Sequence, residues 1–173
     1  MDMRRFILSA LLAVVCMATA TAQKFALVDM EFIGRQIPAF REANGQLEAL
    51  SKEWQSVIDA KTEEAKKLYE EYQQTADKLT AAQRTAKEEA VLAKEKEAAE
   101  LRQRYFGPQG EMMKKQQELL GPLQDNIYNA IKAIATEQGY DVVFDRATSQ
   151  NMIFASPRID ISNEVLDRLG YSN

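Results

Sequence analysis

The chain has 173 residues and a mass of 19.6 kDa, with 22 Lys+Arg against 26 Asp+Glu, a net charge of -4, one Cys and no His. One Cys excludes an intrachain disulfide, and the lack of His excludes any nucleophile–His pair within one chain. Bulk charge points to no polyanion, and the length suits one ordinary domain or a small body with a long appendage.

Residues 1–22 read as a secretion signal. Arg4-Arg5 begin it, a short apolar run follows from Phe6 to Met17, and Ala20-Thr21-Ala22 before Gln23 supplies the small side chains of a cleavage site. The run is short for a membrane span, and no second one follows. A lipoprotein reading through Cys16 conflicts with Val15 before it, so Cys16 is expected to leave with the signal. The mature chain would lack Cys and His and carry a net charge of -5, which suits an oxidising compartment.

Phe25-Ala-Leu-Val-Asp29 reads as a first strand. The window Gln46 to Tyr105 then contains neither Gly nor Pro, carries 11 basic against 13 acidic residues and is rich in Ala, a composition that favours continuous helix. Its apolar residues recur at alternating spacings of three and four. The seam runs through Ile37, Phe40, Leu47, Trp54, Ile58, Ala65, Leu68, Tyr72, Leu79 and Ala86, with Lys61 and Thr75 among the positions between, and predicts a coiled coil. Distally the seam thins to Ala, Thr and Leu79.

Two successive capping boxes, Thr80-Ala-Ala-Gln83 and Thr85-Ala-Lys-Glu88, favour a hairpin over a single rod. The expected tip lies between Asp77 and Thr85, laying Ala86 to Tyr105 beside the outgoing helix. After Phe106-Gly-Pro-Gln-Gly110 helical spacing resumes from Met113 to Ile134. Pro108 and Pro122 should mark kinks or restarts, and Gly139 has the position of a helix C-cap.

Two more strands follow, Tyr140–Asp145 and Met152–Ala155, joined by the polar turn 147–151. A terminal helix starts near Ser162, with Ile161 and Leu166 as a hydrophobic staple. The expected body core and assembly surface comprises Leu27, Val142, Val143, Phe144, Ile153, Phe154, Val165, Leu166 and Leu169. Three strands of about fifteen residues cannot hide a large core, so other copies of the chain should complete it. The carboxylate pairs Asp141/Asp145 and Asp29/Glu31 each share a strand face, but no His, Cys or glycine-rich phosphate loop adjoins them. Capping and turn duties suffice, so no catalytic residue, metal or cofactor is expected.

With strand, charged helical arm, strand, hairpin strand and short helix in that order, the sequence resembles the Skp/OmpH family of periplasmic chaperones. The resemblance rests on Ala26-Leu-Val-Asp-Met30, Ile127-Tyr-Asn-Ala-Ile-Lys-Ala-Ile-Ala135, Tyr140-Asp-Val-Val-Phe-Asp145 and Asp160-Ile-Ser-Asn-Glu-Val-Leu-Asp-Arg-Leu169, within residues 23–173. It implies an α+β fold: a jellyfish-like homotrimer whose small β-rich body, 23–45 with 123–173, carries coiled-coil tentacles, 46–122. It also implies an ATP-independent periplasmic holdase that binds unfolded outer-membrane β-barrel proteins, in contact with envelope assembly machinery.

The family's basic surface does not carry over, because the arm from 46 to 105 nets -2, residues 106–139 net -1 and residues 140–173 net -2. That argues against lipopolysaccharide or anionic membrane binding, and nucleic-acid binding lacks a basic stripe with aromatic platforms. Client-contact candidates on the arm are Leu68, Tyr69, Tyr72, Leu79, Leu92 and Leu101, although packing within the arm is the commoner role for each such residue taken alone. The alternative reading is a structural coiled-coil scaffold of the cell envelope, which would require a stoichiometric partner and no preference for unfolded chains.

Overall fold

A computed structural model describes residues 23–149 and 151–171; the signal reading and Cys16 lie outside the described residues. The chain divides into two compact units, residues through Ile33 with those from Asn129, and Gly34–Tyr128.

The first unit is built on two parallel strands, β1 (Phe25–Val28) and β2 (Val142–Asp145), with Phe25 opposite Val142 and Leu27 opposite Phe144. Parallel neighbours need a crossover, and here the entire second unit lies between them in sequence. The other edge of β1 is also occupied, since the Leu27 carbonyl accepts the Ile161 N–H at 2.9 Å. Three consecutive β1 residues, Ala26, Leu27 and Val28, are buried. Such a continuous apolar run is the signature of a strand covered on both faces.

Helix α1 (Met30–Gln36) follows at once, its first turn held by Asp29, whose Oδ1 accepts the Phe32 N–H at 2.8 Å. The terminal helix α5 (Ser162–Arg168) buries Val165 and Leu166, as its spacing predicts. Ser162 is its first residue, and Asp160 supplies the side-chain acceptor, taking the Ser162 N–H at 2.9 Å and its Oγ–H at 2.6 Å.

Asp145 serves a similar end. Its Oδ1 accepts the Met30 and Ala147 N–H groups and its Oδ2 the Thr148 hydroxyl. Arg146 spans two further carboxylates, Asp29 at 3.0 Å and Asp160 at 3.4 Å, and Asp141 accepts the Lys24 N–H at 2.9 Å. These carboxylates therefore close turns and join segments, which is the duty their positions suggest.

The third predicted strand is not formed. Met152–Ala155 is irregular, with Ile153 101% and Phe154 83% exposed. β-branched and aromatic residues supply strand propensity, but a ladder needs a neighbour of matching register, and the described residues supply none there.

The second unit contains the long helix α2 (Pro38–Thr75), a 3-10 turn (Ala76–Lys78), helix α3 (Ala81–Phe106) and the first part of helix α4 (Glu111–Gln138). Pro38 stands in the first turn of α2, where its missing N–H costs no bond. At 1.5 Å per residue α2 is roughly 57 Å long. Its opening turns pack Ala43 and Leu47 against Leu120, flanked by Phe40, Met112 and Leu123. Farther out α2 lies along α3.

The reversal uses the first of the two capping boxes. The Thr80 Oγ1 accepts the Gln83 N–H at 3.4 Å, and the Gln83 side chain accepts the Thr80 N–H at 2.9 Å. Thr85 is instead inside α3, its hydroxyl donating to the Ala81 carbonyl at 3.3 Å. Pro122, expected to mark a kink or restart, lies inside the continuous helix α4. A Cβ added to the preceding Gly121 would meet only Gln117 Cγ, at 3.9 Å, so the chain is uncrowded where proline removes a bond. α4 ends as predicted at Gly139, with φ 69° and the Tyr140 N–H returning to the Ala135 carbonyl at 2.9 Å, the Schellman pattern.

Between α3 and α4, the turn Gly107–Gly110 admits only glycine at its ends. A Cβ on Gly107 would fall 2.3 Å from the Gln103 carbonyl oxygen, and one on Gly110 2.7 Å from that of Tyr105. Gly45, within α2, has nothing within 4 Å of such a Cβ. The two glycines should therefore respond oppositely to the same change. Gly110→Ala is expected to destabilise by about 1–3 kcal/mol, whereas Gly45→Ala should stabilise by about 0.5–1 kcal/mol through helix propensity. Urea unfolding followed by Trp54, the only Trp, measures both.

Candidate client-binding surface

The hairpin is aligned by pairs disposed symmetrically about its tip. Trp54 stacks on Tyr105 with ring centroids 4.8 Å apart and planes 7° from parallel, and Phe106 meets Trp54 edge-on at 6.3 Å. Lys61 reaches Glu97 at 3.5 Å, Lys94 reaches Glu64 at 3.1 Å, and Lys87 reaches Glu71 at 3.7 Å. Nearest the tip, the Tyr72 hydroxyl donates to Glu88 at 2.5 Å. Every pair is centred within one residue of Leu79.

On α2 the covered side is the predicted seam. Ile58 is fully buried, Ala65 nearly so, and Trp54, Lys61, Leu68 and Tyr72 are half-buried. On α3 the seam comprises Lys87, Val91, Lys94, Ala98, Leu101 and Tyr105, of which Val91 and Ala98 are buried. Sequence reasoning missed these two. Their 4,3,4,3,4 spacing was the available signal, diluted by the many Ala and charged residues around it.

The six arm candidates therefore separate. Leu68, Tyr72, Leu79 and Leu101 are half-buried within the hairpin, while Tyr69 is 49% and Leu92 61% exposed. Tyr72 is further committed by its bond to Glu88, which raises its phenol pKa. Val57, Phe106 and Met113 add exposed apolar area in the same unit. Between the two helices, near Tyr69, lies an open groove of roughly 390 Å³ floored by Ala65, Ala98 and Ala99.

Four charges occupy the middle of the seam. Lys94 lies 2.9 Å from Glu97 and 3.1 Å from Glu64, and Lys61 lies 3.2 Å from Glu64 and 3.5 Å from Glu97. Hydrogen bonds from Lys94 and Lys61 depress the Glu64 pKa, and a hydrogen bond from Lys94 depresses that of Glu97. Hydrogen bonds to Glu97 and Glu64 raise the pKa of Lys94.

The signs fix a pH window. A carboxylate depressed in the folded state contributes stability that is complete above its unfolded pKa, about 4.3 for Glu, and is lost as pH falls through the folded value. A raised lysine contributes below its unfolded pKa, about 10.4, and its contribution is lost as pH rises through the folded value. Hairpin melting should accordingly be flat near neutrality and decline at both extremes. Glu64→Gln/Glu97→Gln should flatten the acid limb, as read by circular dichroism.

The apolar side chains of the first unit also divide. Leu27, Val165 and Leu166 are at most 3% exposed, whereas Val142 is 41% and Phe144 46% exposed. Val143 and Leu169 are half-buried. Phe25 and Phe144 face each other across the strands, their ring centroids 6.1 Å apart, both substantially exposed. Among the described residues no group of three or more side chains could hold a metal, and no helix is long and apolar enough to cross a membrane.

The described residues thus form a long helical hairpin that displays scattered apolar side chains, and a small sheet unit. The sequence profile described as outer membrane protein (OmpH-like) matches residues 24–169, and the chain belongs to that family. It is 25% identical over 170 residues to the chaperone protein Skp of Pectobacterium atrosepticum, covering 96% of this chain and 99% of that one. It is 26% identical over 158 residues to Skp of Yersinia enterocolitica, covering 91% and 93% respectively. The Skp of Photorhabdus laumondii matches at 28% over 124 residues, 72% of this chain and 73% of that one. The named relatives are chaperones, and the family is not one of enzymes.

Proposed function

We propose that the chain acts in the periplasm as an ATP-independent holdase, keeping unfolded outer-membrane β-barrel proteins from aggregating, and that it does so as a homotrimer. The observation that carries this reading is the hairpin itself, whose half-exposed Tyr69 and Leu92 project from a surface otherwise dense in charge. Such isolated apolar contacts are individually weak, but several arms multiply them through effective concentration. The charged remainder keeps the arms soluble.

The trimer accounts for what one chain leaves open. Phe25, Val142, Phe144, Ile153 and Phe154 are exposed in a unit with few residues to bury them. Neighbouring copies would cover these side chains, and segment 152–155 would find its ladder partner at the outer edge of β2. This reading assigns the body to 23–45 with 123–173 and the tentacle to 46–122.

The test is light scattering of a urea-unfolded outer-membrane barrel on dilution, with and without the purified mature chain and with no nucleotide. Suppression near one trimer per client is expected. An unchanged scattering trace, with the barrel recovered only as aggregate, would instead favour an envelope scaffold.

A further inference from the structure

We propose that the open groove across the hairpin is a subsite for a particular client feature: a large apolar side chain, best an aromatic one, with a carboxylate two residues away along an extended segment. The proposal rests on the holdase reading and specifies what one part of the arm grips.

The groove has an order set by its antiparallel walls. Along α2 come Thr62, Ala65 and Tyr69, and along α3, in the same direction, Arg102, Ala98/Ala99 and Glu95. Its middle is therefore an alanine floor, with one end marked by Arg102 and the other by the ring of Tyr69. The alanines leave an apolar recess where larger seam residues would have filled the space. Tyr69, half-exposed, borders that recess.

The charges at the ends are unequal. Among the described residues no carboxylate lies within ion-pair distance of Arg102, whereas Lys66 on the rim is only loosely paired, 3.8 Å from Glu63 and 4.0 Å from Glu70. Among the described residues Glu95 is the one acidic group lining the groove. With Lys66 held by Glu63 and Glu70, Arg102 is the cation this groove offers an acidic partner, in a chain whose total charge is negative.

Spacing selects where that partner sits. One helical turn, about 5.4 Å, separates the alanine floor from Arg102. In an extended segment, side chains on one face recur at about 6.7 Å. An apolar side chain seated on Ala98 and Ala99 thus brings the residue two positions away within reach of the long Arg102 side chain. The guanidinium can bind a carboxylate there and also border an aromatic ring.

The test uses the full mature chain and two fluorescent, unstructured peptides that differ only in carrying Phe-x-Asp or Phe-x-Lys. Anisotropy titration should show a preference of about three- to fivefold for Phe-x-Asp, the range of an exposed charged contact. Arg102→Glu should abolish or reverse that preference, whereas Lys96→Glu, outside the groove, should leave it. Ala99→Leu, which fills the recess at an exposed helical position, should weaken both peptides. Arg102→Glu leaves the floor intact and decides the matter should the filling variant misfold.

Equal affinity for both peptides in the native chain, or a preference untouched by Arg102→Glu, would overturn the proposal. So would an assembly mass altered by Ala99→Leu without peptide, which would place a second copy in the groove. Failure of the parent reading is separate: the chain would then not suppress aggregation of a whole barrel, whatever the peptides do.

Discussion

Removing residues 66–72 together with 86–92 should leave the assembly intact and markedly weaken its hold on large clients. The two segments are symmetric about Leu79, which lies within one residue of the centre of every cross-helix pair described, and each is one heptad long. The shortened helices therefore stay in phase. The turn 73–85 with its Thr80–Gln83 capping box is retained, as are the Trp54–Tyr105 stack and the Lys61–Glu64–Lys94–Glu97 network.

Each arm becomes roughly 10 Å shorter and loses Tyr69 and Leu92, its two most exposed large apolar residues between the four-charge layer and the tip. Complex lifetime for an unfolded barrel should fall at least about tenfold, because fewer contacts on shorter arms lower the effective concentration of the remainder. Sedimentation should report an unchanged association state. Removing the unmatched segment 66–72 alone should instead misalign the hairpin, which circular dichroism melting would show.

The second large effect separates what holds one chain together from what joins several. Val165 is fully buried, and Val165→Asp should unfold the first unit at a cost of about 4 kcal/mol or more, since it places a charge where no partner exists. Phe144 and Phe154 are exposed on the isolated chain, so Phe144→Asp and Phe154→Asp should keep its secondary structure yet release monomers. Circular dichroism and sedimentation distinguish the two outcomes. A monomer equal in mobility to the native protein would remove the assumed assembly, and unchanged assembly in both variants would move the interface elsewhere.

Much of the arm is legible in the sequence because coiled-coil geometry repeats. Ile58, Ala65 and Leu68 fall where a 3,4 spacing puts them, and the cap at Thr80 is written in four residues. The returning helix is less legible. Its seam is Lys87, Val91, Lys94, Ala98, Leu101 and Tyr105, so charges and alanine occupy positions that a hydrophobic pattern would assign to Leu or Ile. Only the fold shows that Lys94 stands between Glu64 and Glu97. A polar layer of this kind lowers seam hydrophobicity while favouring one register, the trade known for polar residues at coiled-coil core positions.

The sheet unit shows the opposite limit. Phe25–Val28 and Val142–Asp145 pair as their composition suggests, but Met152–Ala155 has equal strand character and no ladder. Strand propensity describes a surface that fits a pleated neighbour, and a single sequence does not say which chain provides it. Pro122 is a milder case, since proline removes one helical bond and the flanking turns of α4 persist around it. For the client surface, the sequence offered six side chains without ranking them. Burial in the hairpin separates them, with Tyr69 and Leu92 the two that a single chain leaves exposed.

The salt response bears on how that contact is made. Apolar burial is not screened, whereas exposed charges interact within a Debye length of about 8 Å at physiological ionic strength. Raising salt should therefore shorten client lifetime only modestly, with the Arg102 contribution as the sensitive fraction. Complete release at moderate salt would identify an electrostatic binder instead.

Native mass spectrometry of the mature chain mixed with a freshly diluted, unfolded outer-membrane barrel and no nucleotide tests the central claim most directly. The account predicts a complex of three copies with one client, alongside free trimer. A monomeric chain, or a trimer that never carries the barrel, would contradict it.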